Sequence, residues 1–130
     1  KEALSYFDGP AQNFAYATSS GDIGLTIAGK FPLKWKEQGK FLLDGSNRNH
    51  EWSGFLPFEH ALSILNPIRN YVSSANQHPS DKLYPYYTYS HNYEYYRGRR
   101  LNERLETILS ATLEASISIF LNSVLAIFFQ

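Results

Sequence analysis

The stretch from Leu65 to Arg100 reads LNPIRNYVSSANQHPSDKLYPYYTYSHNYEYYRGRR, and its reading decides the fold around it. It joins an Asn-Pro turn (Asn66, Pro67), a run of small residues ending in Ser73-Ser74-Ala75-Asn76-Gln77, and a basic segment with Arg97, Arg99 and Arg100. Tyr71–Ala75 reads as a strand, with Val72 and Ser74 on one face and Tyr71, Ser73 and Ala75 on the other. Tyr93–Ile108 reads as a helix: Tyr96, Leu101, Leu105 and Ile108 fall close to one stripe, and Arg99 and Glu103 pair at i,i+4. Gln77 to His91 is a long tyrosine-rich loop broken by Pro79 and Pro85, and loops of that length in compact domains tend to be functional or mobile. An Asn at the end of a strand of small residues aims its side-chain amide with little steric hindrance. An Arg entering a helix holds that amide, or a nearby carboxylate, through a rigid fork of donors. This is the outline of an oxyanion-stabilising site without a nucleophile.

Working outward, residues 1–12 read as a lead-in with a turn at Asp8-Gly9-Pro10. Asn13–Thr18 and Ile23–Ala28 read as two strands joined by the turn residues Ser19-Ser20-Gly21-Asp22, a hairpin closed at Gly29. Phe31 to Glu51 is loop-rich, broken by Pro32 and Gly39, with Trp35 as an anchor and Asp44-Gly45-Ser46-Asn47 as a turn. Trp52–Phe58 is an aromatic segment bounded by Pro57. It serves either as an apolar wall, partly made by Trp52 or Phe55, or as core. His60–Leu65 reads as a short helical turn ended at Asn66, because Pro67 restricts the residue before it. Thr112 reads as the N-cap of a last helix, and Ile117–Phe129 is too short and too interrupted by Asn122 and Ser123 to span a bilayer.

The chain has 130 residues, enough for one domain with a modest core. Its 12 basic and 12 acidic residues balance, so charge gives no argument for nucleic acid or an anionic membrane. Ten Tyr and nine Phe make it rich in aromatics, which serve either a thick core or a recognition surface. The absence of cysteine excludes disulfides and thiolate metal sites. No metal is expected: His50, His60, His78 and His91 fall at no metal-like spacing, and Asp44-x-Ser46 lacks the later Gly and closing Glu of a calcium loop. No Gly-x-Ser-x-Gly elbow supports a serine triad. Lys1-Glu2-Ala3 is followed by mixed polar sequence, so no cleavable leader is read there.

Several motifs, in order, resemble those of the penicillin acylase family. They are Gln12-Asn13-Phe14-x-Tyr16-Ala17, Gly21-Asp22-Ile23-Gly24, Gly29-x-Phe31-Pro32, Trp52-Ser53-Gly54-Phe55-Leu56-Pro57-Phe58 and Asn66-Pro67, then Ser74-Ala75-Asn76-Gln77-x-Pro79 and Tyr96-Arg97-x-Arg99-Arg100-Leu101-x-Glu103. The resemblance covers roughly residues 8 to 108. Beyond residue 112, Ala115, Leu121 and Phe129 stand where relatives are more polar. The resemblance implies an α+β chain, part of the four-layer αββα fold of N-terminal-nucleophile (Ntn) hydrolases, with antiparallel strands followed by two C-terminal helices. Residues 1–130 are then an internal fragment of the second chain of a self-cleaved precursor, without the nucleophilic Ser and inactive alone.

The same resemblance implies hydrolysis of the amide of N-acylated amines, such as a β-lactam or an acyl-homoserine lactone. Asn76 takes the role of oxyanion donor, and Arg100 that of the Arg steadying the network around the nucleophile's α-amine. A shift of that role to Arg99 stays open. Trp52 and Phe55 line the substrate cleft in this reading. No cofactor is implied. The implied partners are the rest of the precursor and a small acyl amide, with no nucleic acid or membrane, and the location is periplasmic or secreted. The apolar Ile117–Phe129 helix is expected to pack on a partner chain or drive self-association. The alternative function is a non-catalytic binding or structural module that retains the acylase scaffold.

Overall fold

The structure, a computed structural model, describes residues 2–75, 77–88, 95–108 and 126–128. After a short helix α1 (Glu2–Ser5), strand β1 (Gln12–Ala17) pairs antiparallel with β2 (Ile23–Ala28) from Gln12↔Ala28 to Ala17↔Ile23. This is the hairpin expected from the alternating pattern, and its turn is built by the expected residues. Thr18 N–H donates to the Asp22 carbonyl at 2.9 Å, and Gly21 takes the positive φ of 98° that glycine adopts freely.

Strand β3 (Ser63–Leu65) adds to the free edge of β2 with Gly24↔Leu65, giving a three-stranded sheet in the order β1-β2-β3. Here the structure corrects the expected helical turn over His60–Leu65. Only Phe58–His60 forms a single 3-10 turn, and the chain then extends along β2. Asn66 fixes that register. Its backbone N–H donates to the Ile23 carbonyl at 2.9 Å, and its Oδ1 accepts from Ile23 N–H at 2.9 Å. Its Nδ2 donates to Asp22 Oδ1 at 2.8 Å. Asn66 sits at φ 46°, not in the extended region usual before proline, a conformation that Asn tolerates better than most residues.

The segment between the strands is closed by a short ladder in which Leu33 and Ser53 exchange bonds with Gly54 and Leu33, and Leu56 N–H donates to Phe31 at 2.8 Å. The expected anchor of this loop, Trp35, is 42% exposed. The buried residue is Gln38, whose Nε2 donates to the His50 and Glu51 carbonyls and whose Oε1 accepts from Trp35 N–H. A carboxamide that satisfies three backbone groups in the loop interior replaces the missing apolar core there.

Strand β4 (Tyr71–Ser73) is buried throughout and pairs antiparallel with β5 (Ala126–Phe128). Strand β4 also approaches β2, and β5 approaches β1. A helix running over residues 112–130 is therefore corrected at 126–128, where the β4 edge supplies hydrogen-bond partners; the rest of that segment lies outside the described residues. Helix α2 (Tyr96–Glu106) covers the other side of β4. Leu101 and Leu105 pack with Tyr71 and Ala75, and Ile108 packs against them. Each such leucine contributes about 1.5–3 kcal/mol when fully buried. Tyr96 leaves the expected stripe: it is exposed, with the Arg99 guanidinium 5.7 Å from its ring centre. Among the described residues, no helix is long and apolar enough to cross a membrane.

Gly29 holds φ 113°, and a Cβ there would stand 2.7 Å from the Gly9 carbonyl oxygen and 2.8 Å from that of Pro10. Gly29→Ala should lower stability by at least about 1–3 kcal/mol from backbone strain alone. Gly45→Ala, with no atom within 4 Å of the new Cβ, should leave the urea midpoint unchanged. The Asp22 carboxyl is held below the ordinary carboxylate range, first by the Asn66 amide and then by the Ser20 and Thr18 hydroxyls. A depressed folded-state value stabilises above the unfolded pKa of about 3.9, and that contribution is lost as pH falls through the folded value. The stability advantage of the native chain over Asp22→Ala should therefore be constant above about pH 5 and shrink in stronger acid, read from urea midpoints across pH.

Candidate active site at the end of strand β4

Strand β4 and the residues after it divide their side chains as the alternating pattern predicts. Tyr71, Ser73 and Ala75 face α2, where Ser73 Oγ donates to Asn102 Oδ1 at 3.0 Å. Ser74 faces the three-stranded sheet, and Asn13 Nδ2 of β1 donates to its Oγ at 2.7 Å. Beyond Ser74 the chain turns. Gln77 reaches back, its Oε1 accepting from Ala75 N–H at 2.5 Å and its Nε2 donating to the Ser73 carbonyl at 3.1 Å. Arg97 Nη2, from the first turn of α2, donates to the Ala75 carbonyl at 3.5 Å.

Position 76 thus lies between two described neighbours whose polar groups are held from three directions. Asn76 itself lies outside the described residues. Apart from Arg97, the groups holding its neighbours are carboxamides, hydroxyls and peptide groups, which neither gain nor lose a proton near neutral pH.

A cavity of about 230 Å³ opens beside this turn, bordered by Asn13, Leu25, Val72, Ser74, Gln77 and His78 among others. A second cavity of about 170 Å³ lies next to it, since Ile27 and Leu62 border both. Phe31, Phe55 and Phe58 give the second cavity an aromatic wall, and Lys30, ion-paired with Asp8 at 2.7 Å, stands at its border with its Nζ 5.6 Å from the centre of the Phe55 ring. Phe55 therefore lines a real recess. Trp52 meets the Phe55 ring edge-to-face at 6.2 Å but faces a shallow depression on the outer side with His50 and Glu51.

Arg100 lies on the solvent side of α2 in this chain. Its Nη1 donates to Glu103 Oε2 at 3.2 Å, while Arg99 Nε is 4.0 Å from the other oxygen of the same carboxylate. The tyrosine loop docks on the Phe58–His60 turn: Tyr84 Oη donates to the His60 carbonyl at 2.8 Å, and the Tyr86 hydroxyl hydrogen-bonds His60 Nδ1. Burial beside Tyr86 pushes the Tyr84 phenol upward in pKa. Among the described residues, no group of three or more His, Cys, Asp or Glu is placed to hold a metal ion.

The family motifs in the sequence single out Asn76 and Arg100 but give no role to Asn13, Gln77 or Asn102. The partners of Asn13 and Asn102 are 61 and 29 residues away, so no local pattern marks them. Gln77 carried a weak local signal, a carboxamide two residues after a small residue at a strand end.

The chain matches a family described as penicillin amidase over residues 1–127, further at both ends than the motif-by-motif resemblance. It is 27% identical over 93 residues to the penicillin acylase 2 proenzyme of Pseudomonas sp. (strain SE83), a match covering 72% of this chain and 12% of that protein. It is 32% identical over 73 residues to penicillin G acylase of Escherichia coli, covering 56% of this chain and 8% of that protein. The matched region is thus only about a tenth of the length of these relatives. Because the family match takes in both sheets, the β4 turn and helix α2, the chain belongs to the penicillin amidase family.

Proposed function

We propose that this chain is part of the catalytic chain of an acylase-type Ntn amidohydrolase that hydrolyses the amide bond of N-acylated amines. The observation that carries the reading is the family match across the segment in which the neighbours of position 76 are braced by Ser73, Gln77 and Arg97. The antiparallel sheet, the β4–β5 pair and helix α2 belong, in this reading, to a four-layer αββα fold.

Amide hydrolysis through a tetrahedral intermediate needs a nucleophile, a proton acceptor and donors aimed at the developing oxyanion. Asn76 supplies a side-chain N–H to that oxyanion. A Ser elsewhere in the whole protein supplies the nucleophile, and the remainder of the precursor is the obligatory partner of this segment. Arg100 steadies the network around the nucleophile's α-amine; its exposed guanidinium leaves it accessible to groups outside residues 1–130. Phe55, with Trp52 against its edge, contributes apolar wall to the acyl side of the cleft. The family resemblance favours a periplasmic or secreted location.

Loss of one oxyanion donor typically costs a hundred- to a thousand-fold in rate, or about 2.7–4 kcal/mol. In the whole protein, Asn76→Ala should lower kcat by that factor on chromogenic N-acyl anilides while KM and melting temperature stay near those of the native protein. A lower melting temperature with nearly normal kinetics of the folded fraction would assign Asn76 a structural role instead. Phe55→Ala should do the reverse, raising KM for bulky acyl groups by roughly tenfold with a smaller change in kcat, since an apolar wall binds ground and transition states alike.

A further inference from the structure

Arg69 stands at the border of the cavity of about 230 Å³ beside strand β4. It lies in the connection from β3 to β4, a turn closed by the Asn70 N–H donating to the Pro67 carbonyl at 2.8 Å. The turn is fixed at both ends by residues in the left-handed region, Asn66 at φ 46° and Asn70 at φ 56°, and Pro67 locks a further dihedral inside it. Arg69 is thus carried on a stiff connection.

Its guanidinium is held as well. Nε donates to the Tyr71 carbonyl at 3.1 Å, and Cζ lies over the Tyr71 ring, 4.7 Å from its centre. Tyr71 is buried against Leu101 and Leu105, so this platform belongs to the core. The two contacts use Nε and one face of the guanidinium. Its two terminal nitrogens keep no partner among the described residues, and no carboxylate there pairs with them. A fork of donors fixed in direction and left without an acceptor suits the two oxygens of a carboxylate.

The cavity supplies the rest of the site. Leu25, Ile27 and Val72 give it apolar lining, and no Asp or Glu borders it. The neighbouring recess differs, because its Lys30 is already matched by Asp8 at 2.7 Å. A volume of about 230 Å³ is below the roughly 300 Å³ at which pockets for drug-sized ligands begin, so the occupant is small. One guanidinium matches a monoanion, whereas a phosphate dianion calls for more donors.

We infer that this cavity binds a small carboxylate with a short aliphatic body, the chain against Leu25, Ile27 and Val72 and the carboxylate on the Arg69 guanidinium. The inference stands apart from the amide-hydrolysis reading. The carboxylate belongs either to the amide substrate or to a separate molecule, and both present the same chemistry to Arg69.

Hexanoate is the probe, titrated into the whole protein by isothermal calorimetry, with hexanamide as its uncharged match and inorganic phosphate as a rival anion. Hexanoate should bind saturably, and hexanamide about tenfold more weakly; the solvent-exposed guanidinium keeps the charge-assisted bond at the low end of its range. Arg69→Gln should cost hexanoate the same factor with an unchanged melting temperature, and Arg69→Lys, which keeps the charge but loses the fork, should restore only part of it. Ile64→Trp, at a 40% exposed position of β3 that borders the cavity, should weaken hexanoate by narrowing its space, and it carries the test should Arg69→Gln fail to fold. Absence of saturable hexanoate binding, equal affinity for hexanamide, tighter binding of phosphate, or native affinity in Arg69→Gln or Ile64→Trp would overturn the inference. Kinetics on N-acyl anilides separates the two sources: hexanoate that raises KM and leaves kcat alone occupies the place of the substrate, and hexanoate that leaves KM unchanged is a separate ligand. A protein that cleaves no amide yet binds hexanoate through Arg69 would overturn the functional reading and leave this inference standing.

Discussion

The burial of strand β4 is the constraint from which the rest of the structure follows. Tyr71, Val72 and Ser73 are all buried although the strand is only three residues long. It is covered by α2 on one side, approached by β2, and paired along its edge with β5. Tyr71 and Ala75 meet Leu101 and Leu105 across the helix contact, and Val72 loses all its accessible surface. A strand this short gains little from its own ladder, so its position is set by side chains packed on both faces. Where the strand ends, the same packing delivers a turn of small polar residues to the boundary between core and cavity.

That turn is organised by hydrogen bonds between unlike neutral groups. Asn13 from β1, Gln77 from the loop and Asn102 from α2 each donate or accept with a geometry that fits one arrangement of the chain. Satisfied networks of this kind, here part-buried at Gln77 and Asn102 and exposed at Asn13, add modest stability but favour one conformation over its neighbours. For a site whose proposed task is to receive negative charge as it develops, fixed neutral dipoles have an advantage over mobile ions. They need no reorganisation at the moment of reaction and do not titrate near neutrality. Asn66 illustrates the same economy in the scaffold, since one side chain ends β3, caps β2 and holds the Asp22 carboxylate.

Much of this was legible in the sequence, and the misses have two causes. The β1–β2 hairpin followed from alternation and from the residues 19–22 turn, because both signals are local. The split of Tyr71, Ser73 and Ala75 from Val72 and Ser74 followed from strand geometry, and Leu101 and Leu105 from helical spacing. Strand β3 has no signature of its own in the sequence, because three residues carry almost no period and their conformation is decided by the open edge of β2. The same holds at Ala126–Phe128, where an apolar run fits a helix as well as a strand until β4 supplies a partner. Gln38 and the carboxamides around position 76 were missed for another reason: a polar residue satisfied inside a fold looks, in sequence, like one satisfied by water. Family motifs located Asn76 and Arg100, and residue type alone would not have done so.

The central proposal is that Asn76 donates a hydrogen bond to the tetrahedral oxyanion. The most direct measurement is a crystal structure of the whole protein with a boronic acid bonded to its nucleophilic Ser, which holds a tetrahedral oxygen where the oxyanion would form. The account predicts Asn76 Nδ2 about 2.7–3.1 Å from that oxygen, with the Gln77 hydrogen bonds to Ser73 and Ala75 intact. An oxygen stabilised wholly by other donors, with the Asn76 amide turned away from it, would contradict the account.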